Sequence, residues 1–273
     1  MSQRTIVITG ASDGIGAAAA RSLSEGGDRV VVVGRSPEKT AAVAREIGAD
    51  AFVADFARLD DVRRLAAELL AACPRIDVLA NNAGGIMGAR EETVDGHEKT
   101  FQVNHLGPFL LTTLLMDRLL DGGARVLNTS SAANRIFGRF EIDDLDARTR
   151  YSPNRAYGNA KLANILFTTE LNRRHGLQGI DAAAFHPGGV ATGFAAGSTS
   201  PMRFVYQTAL RRLLLSAEQG ADTLVWLATA RPGADWVPGG YYAKRAIAKA
   251  NPQARDADLA RELWERSARM VTA

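Results

Sequence analysis

Tyr157 and Lys161 stand four positions apart in the stretch Tyr157-Gly-Asn-Ala-Lys161. Leu162, Ile165, Leu166 and, a turn later, Leu171 recur at helical spacing, so the segment predicts an amphipathic helix with Tyr157 in its first turn. Residues four apart share a helix face, which sets the phenol beside the ammonium. A neighbouring positive charge favours phenolate and draws a tyrosine below its ordinary pKa of about 10, where it exchanges a proton near neutral pH. A tyrosine beside a surface lysine also arises often by chance, so the pair draws its meaning from the elements that precede it.

Those elements alternate. Arg4 to Thr9 is a short β-rich run, followed by Thr9-Gly10-Ala-Ser12-Asp-Gly14-Ile15-Gly16 and an alanine-rich segment with helical periodicity. A strand, a glycine turn and a helix in that order suit a dinucleotide. Glycine permits the tight turn and a close backbone approach to phosphate, which a helix N-terminus also attracts. The spacing is Gly-x-x-x-Gly-x-Gly rather than the commoner Gly-x-Gly-x-x-Gly. Val30 to Val33 is a continuous apolar run of the kind a buried parallel strand shows. An NAD-preferring site offers a carboxylate to the adenine ribose about 20 residues past the glycines. This chain has Gly34 and then Arg35 instead, whose charge and planar donor fork suit a 2′-phosphate. NADP(H) is the expected cofactor, with NAD(H) the alternative if Arg35 is only a solvated turn residue.

The alternation then repeats. A helix over Pro37 to Ile47 leads to a strand over Ala49 to Ala54 with Asp55 just past its end, and a helix over Leu59 to Ala72 leads to a strand over Ile76 to Ala80 that runs into Asn81-Asn82-Ala83-Gly84. Such a pattern predicts an α/β, doubly wound (Rossmann-type) and mostly parallel sheet of about seven strands, with helices on both faces. Ligands of such sheets sit at strand carboxyl ends, where Gly10, Arg35, Asp55 and Asn81 all fall.

Composition narrows the classes. The 273 residues, 46% of them hydrophobic, suffice for one large domain, and no repeat or low-complexity linker divides them. A formal charge of +3 with scattered basic residues leaves no nucleic-acid footprint. One cysteine, Cys73, excludes an internal disulfide framework and fits a reducing compartment. The chain runs at once into Ile6-Val-Ile8 without a signal-peptide core, and no apolar run approaches roughly 18 residues, so a cytoplasmic protein without a membrane partner is expected. His97, His105, His175 and His186 lie far apart, and Asp143, Asp144 and Asp146 lack calcium-loop spacing, so no metal site is expected.

Thr9-Gly-x-x-x-Gly-x-Gly16, Asn81-Asn-Ala-Gly84 and Tyr157-x-x-x-Lys161, in that order, resemble the motifs of the short-chain dehydrogenase/reductases across nearly the whole chain. The segments around Asn104, Arg125-Val-Leu-Asn-Thr-Ser-Ser131 and His186-Pro-Gly-Gly-Val-Ala-Thr192 are similar to further signatures of that family. Val103-Asn-His-Leu-Gly and Tyr157-x-x-x-Lys-Leu-Ala-Asn164 resemble its retinol-dehydrogenase-like and WW-domain-oxidoreductase-like branch. The resemblance implies Tyr157 as general acid/base, Lys161 as the ribose-binding cation, Ser131 as the hydroxyl that holds the substrate oxygen, and Asn104 as anchor of a water relay. Ser130 is the rival for the serine role, and Asn104 has an alternative as the hydrogen-bonding partner of a helix kink near Gly107-Pro108. The implied cofactor contacts are Gly10, Ser12, Gly14, Ile15, Gly16, Arg35, Asp55, Asn81, Ala83 and Gly84, with Tyr157 and Lys161, then Pro187, Gly188, Val190 and Thr192.

Ser131 and Tyr157 lie 26 positions apart, which by the family resemblance implies an insertion over Ala132 to Pro153. Residues 193–215 read as a lid over an apolar pocket, or as a core-packed helix pair. A helix over Ser216 to Thr229, a late strand in Gly239 to Ala243, and a terminal helix over Asp256 to Met270 with Leu259, Leu263 and Trp264 inward complete the domain. The implied activity is NADP(H)-dependent interconversion of an alcohol and an aldehyde or ketone on an apolar small molecule, by a homodimer or homotetramer. A non-catalytic NADP(H) sensor would need no Tyr157, Lys161 or Ser131. A nucleotide-sugar epimerase usually carries a larger C-terminal substrate domain.

Overall fold

The computed structural model describes residues 3–190 and 214–272. Eight strands, β1 (Thr5–Thr9), β2 (Arg29–Gly34), β3 (Asp50–Val53), β4 (Val78–Asn81), β5 (Arg125–Thr129), β6 (Asp181–Phe185), β7 (Tyr241–Ala243) and β8 (Ala246–Ile247), form one sheet in the order β3-β2-β1-β4-β5-β6-β7-β8. The first seven are parallel, and β8 runs antiparallel to β7. The order reverses beside β1, between β2 and β4, which opens a crevice at the carboxyl ends of the central strands. All seven expected strands are present. The eighth gives no sequence signal because its two-residue turn is Lys244-Arg245, held left-handed at φ 53° and 60° where glycine or asparagine is usual.

Side chains alternate across each strand, and the two faces feed two cores. Ile6, Ile8, Val30 and Val32 pack with the alanines of helix α1 (Gly14–Glu25), with α2 (Pro37–Ile47) and with Leu224 and Leu227 of the helix Ala217–Thr229. Val7, Val31 and Leu79 pack on the other face with α3 (Leu59–Ala72) and with the central helices. Those begin with a single turn, α4 (Lys99–Phe101), pass through a π turn (Gln102–Leu106), and continue as α5 (Gly107–Leu114) and α6 (Met116–Gly122). After β5 come the short α7 (Ala133–Ile136) and the long α8 (Pro153–His175).

Two expectations for α8 change. The helix begins at Pro153, because Ser152 caps it by accepting from Arg155 N at 3.3 Å and proline suits the first helical position. Tyr157 therefore lies beyond the first turn. Nor is α8 amphipathic: from Ala156 to Leu171 all but Asn159 and Thr169 are buried. The cause is the C-terminal helix Ala257–Thr272, which lies over its outer face. There the Trp264 ring meets Phe109 at 5.1 Å and Phe167 at 5.6 Å, and carries the Arg174 guanidinium 4.8 Å from its centre. A helix covered on every side can be apolar on every side, which is why its residues show no clean polar stripe.

Candidate active site

Helix α8 is joined to β5 by a ladder of buried side chains. Lys161 Nζ donates to the Thr129 carbonyl at 3.1 Å, Ser130 Oγ to the Lys161 carbonyl at 2.7 Å, and Asn128 Nδ2 to Thr168 Oγ1 at 2.9 Å. The ladder continues into the sheet, where Asn81 Nδ2 donates to Asn128 Oδ1 and to Thr112 Oγ1, both at 2.9 Å. It fixes the height of Tyr157 against Ser131, since one residue is four positions before Lys161 and the other directly follows Ser130. The spacing argument holds in space: Lys161 Nζ is 5.5 Å from the centre of the Tyr157 ring. Tyr157 packs with Ile86 and Ala133 and is 6% exposed, while Lys161 is 1% exposed. Desolvation pulls the Lys161 ammonium down to about 7. Its charge is thus poised near neutrality rather than fixed.

The two serines separate. Ser130 is buried with its hydroxyl committed to α8. Ser131 is half-buried at the mouth of the crevice, with Oγ accepting from Ala133 N at 3.2 Å. That leaves the Ser131 O–H to donate outward.

Asn104 sits in the π turn, fully buried. Its Nδ2 donates to the Thr100 and Gly85 carbonyls at 2.8 and 2.9 Å, and its Oδ1 accepts from Gly85 N at 3.1 Å. The alternative reading set a helix kink near Gly107-Pro108; the irregularity present is the π turn Gln102–Leu106, which contains Asn104 itself. Asn104 Oδ1 and Lys161 Nζ flank Gly84, where an added Cβ would stand 2.4 Å from the first and 3.1 Å from the second. Glycine keeps the gap between them open.

The glycine turn follows β1. Gly10 and Gly14 adopt φ of 66° and 54°, and a Cβ on Gly16 would lie 2.3 Å from the Gly10 carbonyl oxygen. Thr9 Oγ1 accepts from Asn82 N and Ala83 N, each at 3.0 Å, and Asn82 Nδ2 donates to the Thr9 carbonyl at 3.1 Å. The turn is thereby tied to the segment after β4, against which Ala83 lies. Gly14, Ile15 and Gly16 open α1 with amides that have no intrahelical acceptor, and Asp13 caps Gly14 N at 2.7 Å. Lys39, 3.0 Å away, holds the Asp13 carboxyl below its usual range. Ser12 lies against Gly34, where a Cβ would meet its Cβ at 2.7 Å. Arg35 is exposed at the end of β2 and makes no ion pair among the described residues. Asp55 Oδ1 accepts from Ala57 N at 3.0 Å, beyond the end of β3.

These groups fit a pyridine dinucleotide: a glycine turn at a helix N-terminus, a guanidinium with no ion pair among the described residues at the next strand end, and a lysine beside the Gly84 gap. Asn81 differs, since its amide hydrogens are already given to Asn128 on β5 and Thr112 on α5. After β6, Gly188 takes φ of 92° and Gly188 N donates to His186 Nδ1 at 3.0 Å. Pro187 is half-buried, and Val190 is buried and bridges to Leu215. Thr192 and the 193–215 segment, apart from Leu214 and Leu215, lie outside the described residues.

Thr9, Asn82, Asn128 and Asn164 fall inside the sequence motifs, but the sequence assigned them no role, and only tertiary hydrogen bonding marks them as organisers of the site.

Residues 4–202 match the short chain dehydrogenase family. Over 98% of this chain and 92% of its own length, a Streptomyces sp. (strain C5) protein described as a daunorubicin C-13 ketoreductase, DnrU, is 46% identical. Human retinol dehydrogenase 13 is 36% identical over 98% of this chain and 84% of its own length. Among solved structures, a short chain dehydrogenase from Burkholderia cenocepacia in complex with NADP superposes with a TM-score of 0.68 at 25% identity, covering 88% of this chain and 94% of that one. The chain belongs to the short-chain dehydrogenase family of oxidoreductases, in its retinol-dehydrogenase-like branch.

Proposed function

We propose that this chain is an NADP(H)-dependent oxidoreductase that interconverts an alcohol and an aldehyde or ketone on an apolar small molecule. The convergence of Tyr157, Lys161, Ser131 and Asn104 at the carboxyl end of β5, beside the glycine turn, carries this reading. A nicotinamide bound beside these residues would supply or accept the hydride. The Ser131 hydroxyl donates to the substrate oxygen as negative charge develops on it, and Tyr157 gives or takes the proton there. The Lys161 ammonium favours the ionised tyrosine beside it and reaches the ribose. Asn104, across the Gly84 gap, holds a water that passes protons behind Lys161. Gly10, Ser12, Gly14, Ile15 and Gly16 would cradle the pyrophosphate, and Arg35 the 2′-phosphate. Asp55, Ala83, Gly84 and the Asn81 backbone would border the adenosine, and Pro187, Gly188, Val190 and Thr192 the nicotinamide. An apolar substrate is supported by Ile86 and Ala133 against Tyr157, and by the exposed Ile136 and Phe137 beyond Ser131.

The direct experiment measures NADPH consumption over a panel of ketones and aldehydes that includes daunorubicin and retinal. Tyr157→Phe is expected to lose a hundredfold or more of turnover, on the order of a general acid/base contribution, with its NADPH dissociation constant held. Comparable turnover in that variant removes the reading. Arg35→Ala is expected to weaken NADPH binding roughly tenfold or more and NADH binding little, the loss of one charge-assisted contact. Equal losses for both would return Arg35 to the solvent. We read the chain as one cytoplasmic domain. A homodimer or homotetramer would need a face other than the one the C-terminal helix covers, which light scattering measures.

A further inference from the structure

Behind Lys161 the polar groups continue away from the crevice. The Thr129 carbonyl that accepts from Lys161 Nζ at 3.1 Å also accepts from Asn164 Nδ2 at 3.0 Å. Asn164 Oδ1 faces His105 Nδ1 at 3.3 Å, and His105 Nε2 faces Ser267 Oγ at 2.9 Å. Asn164 is 3% exposed, and His105 and Ser267 are fully buried. Their chemistry fixes the direction of donation. Asn164 gives its NH2 to Thr129, so the oxygen it turns to His105 only accepts, and His105 Nδ1 must carry the proton. Burial keeps the imidazole neutral, pulling it down to about 4, so Nε2 is bare and accepts from the Ser267 hydroxyl. A hydroxyl on the C-terminal helix, an imidazole in the π turn, an amide on α8 and the last carbonyl of β5 thus form one chain with one sense.

We propose that Ser267, His105 and Asn164 form a positioning relay through which the C-terminal helix sets the placement and charge of the Lys161 ammonium. None of the three touches the crevice, so they act through Lys161. The relay matters to the reaction if Lys161 is the tuning cation, and in that respect it rests on the function proposed above. The Thr129 carbonyl is the group that favours a charged Lys161 in a desolvated setting, with Tyr157 the titratable neighbour four residues back. Removing Asn164 takes away one of the two donors that pin the carbonyl. Removing His105 leaves the Asn164 amide free to flip and oppose its oxygen to the carbonyl. Removing the Ser267 hydroxyl touches only the far end.

The chain has five lysines, so lysine labelled with 13C at Cε gives few signals, and Lys161→Met assigns the one of interest. In NMR titrations of the full-length protein, the Lys161 midpoint is expected to fall by about half a unit or more in Asn164→Leu and His105→Leu. Ser267→Ala is expected to shift it less, and Ser267→Thr to restore it. Unmoved midpoints in folded leucine variants overturn the proposal. Should those variants not fold, imidazole 15N shifts of the wild-type protein decide instead. A proton on Nδ1 with bare Nε2 supports the relay, while the other tautomer or an imidazolium at neutral pH overturns it. Tyr157→Phe turnover is read separately: its failure would remove the catalytic assignment and leave the Lys161 titration standing.

Discussion

Two histidines eight residues apart both hold the C-terminal helix, yet their surroundings shift their pKa values in opposite directions. His105 is fully buried between Asn164 and Ser267, which together accept one proton and offer one, so the neutral ring satisfies both. His97 is half-buried, with Nε2 at 3.0 Å from the Met270 carbonyl and Nδ1 at 3.5 Å from Asp146. Both of its neighbours only accept, so they favour the protonated ring. The bond to Asp146 accordingly holds His97 above its ordinary pKa, with Asp95 adding to the field. Asp146 also accepts from Glu98 N at 3.0 Å, lies 3.6 Å from Arg148, and sits below the usual carboxylate range. This cluster borders a shallow cleft lined by Asp143, Asp144, Arg266 and Arg269, whereas His105 faces only neutral groups. Partner polarity, more than helix or residue type, decides the direction of the shift.

The comparison breaks most visibly in acid. His105 has a folded pKa of about 4, below its unfolded value, so its neutral form contributes stability that is whole above about 6.5 and is lost as pH falls toward 4. The loss amounts to roughly 3 kcal/mol at full protonation. Urea melts at pH 7 and pH 4.5 are expected to show a steep fall that His105→Asn flattens, and an equal slope in both proteins would refute the assignment. His97 runs the other way. Its folded pKa is raised, so its ion pair contributes fully below the unfolded pKa and is lost as pH rises through the folded one. His97→Gln is therefore expected to destabilise by about 1 kcal/mol near pH 6 and much less at pH 9, a half-buried pair being worth more than an exposed one. A pH-independent loss would mean that packing, not charge, is what His97 contributes. The smallest effect is expected from Arg148→Ala, under about 0.5 kcal/mol, because Arg148 is exposed and its ion pair is long. A larger loss would make Arg148, rather than His97, the partner that matters to Asp146.

The legible parts of this molecule were those governed by local rules. The first seven strands and the helices over Pro37–Ile47 and Leu59–Ala72 announce themselves through apolar runs, periodicity and caps, and the residues expected at strand ends do gather at one end of the sheet. The hairpin turn at Lys244-Arg245 was not legible, because neither residue favours a left-handed backbone; Arg245 is instead tethered to Asp222, with Nε donating at 2.8 Å. The start of α8 at Pro153 was not legible, because Ser152-Pro153 reads equally as the close of an insertion. Ser131 could be preferred over Ser130 only by resemblance, whereas in space one hydroxyl is consumed by α8 and the other is not. Most hidden was the relay behind Lys161, which joins residues 105, 129, 164 and 267 through contacts that no spacing encodes.

The sheathing of α8 by the last helix also bears on biosynthesis. Phe109 and Phe167 meet each other at 5.4 Å, but their outer side stays open until Trp264 leaves the ribosome, so the nascent chain carries an exposed aromatic seam until that helix has been translated. The packing of α8 thus depends on a segment that begins only at Ala257, and a copy lacking that helix would expose the aromatic seam to solvent.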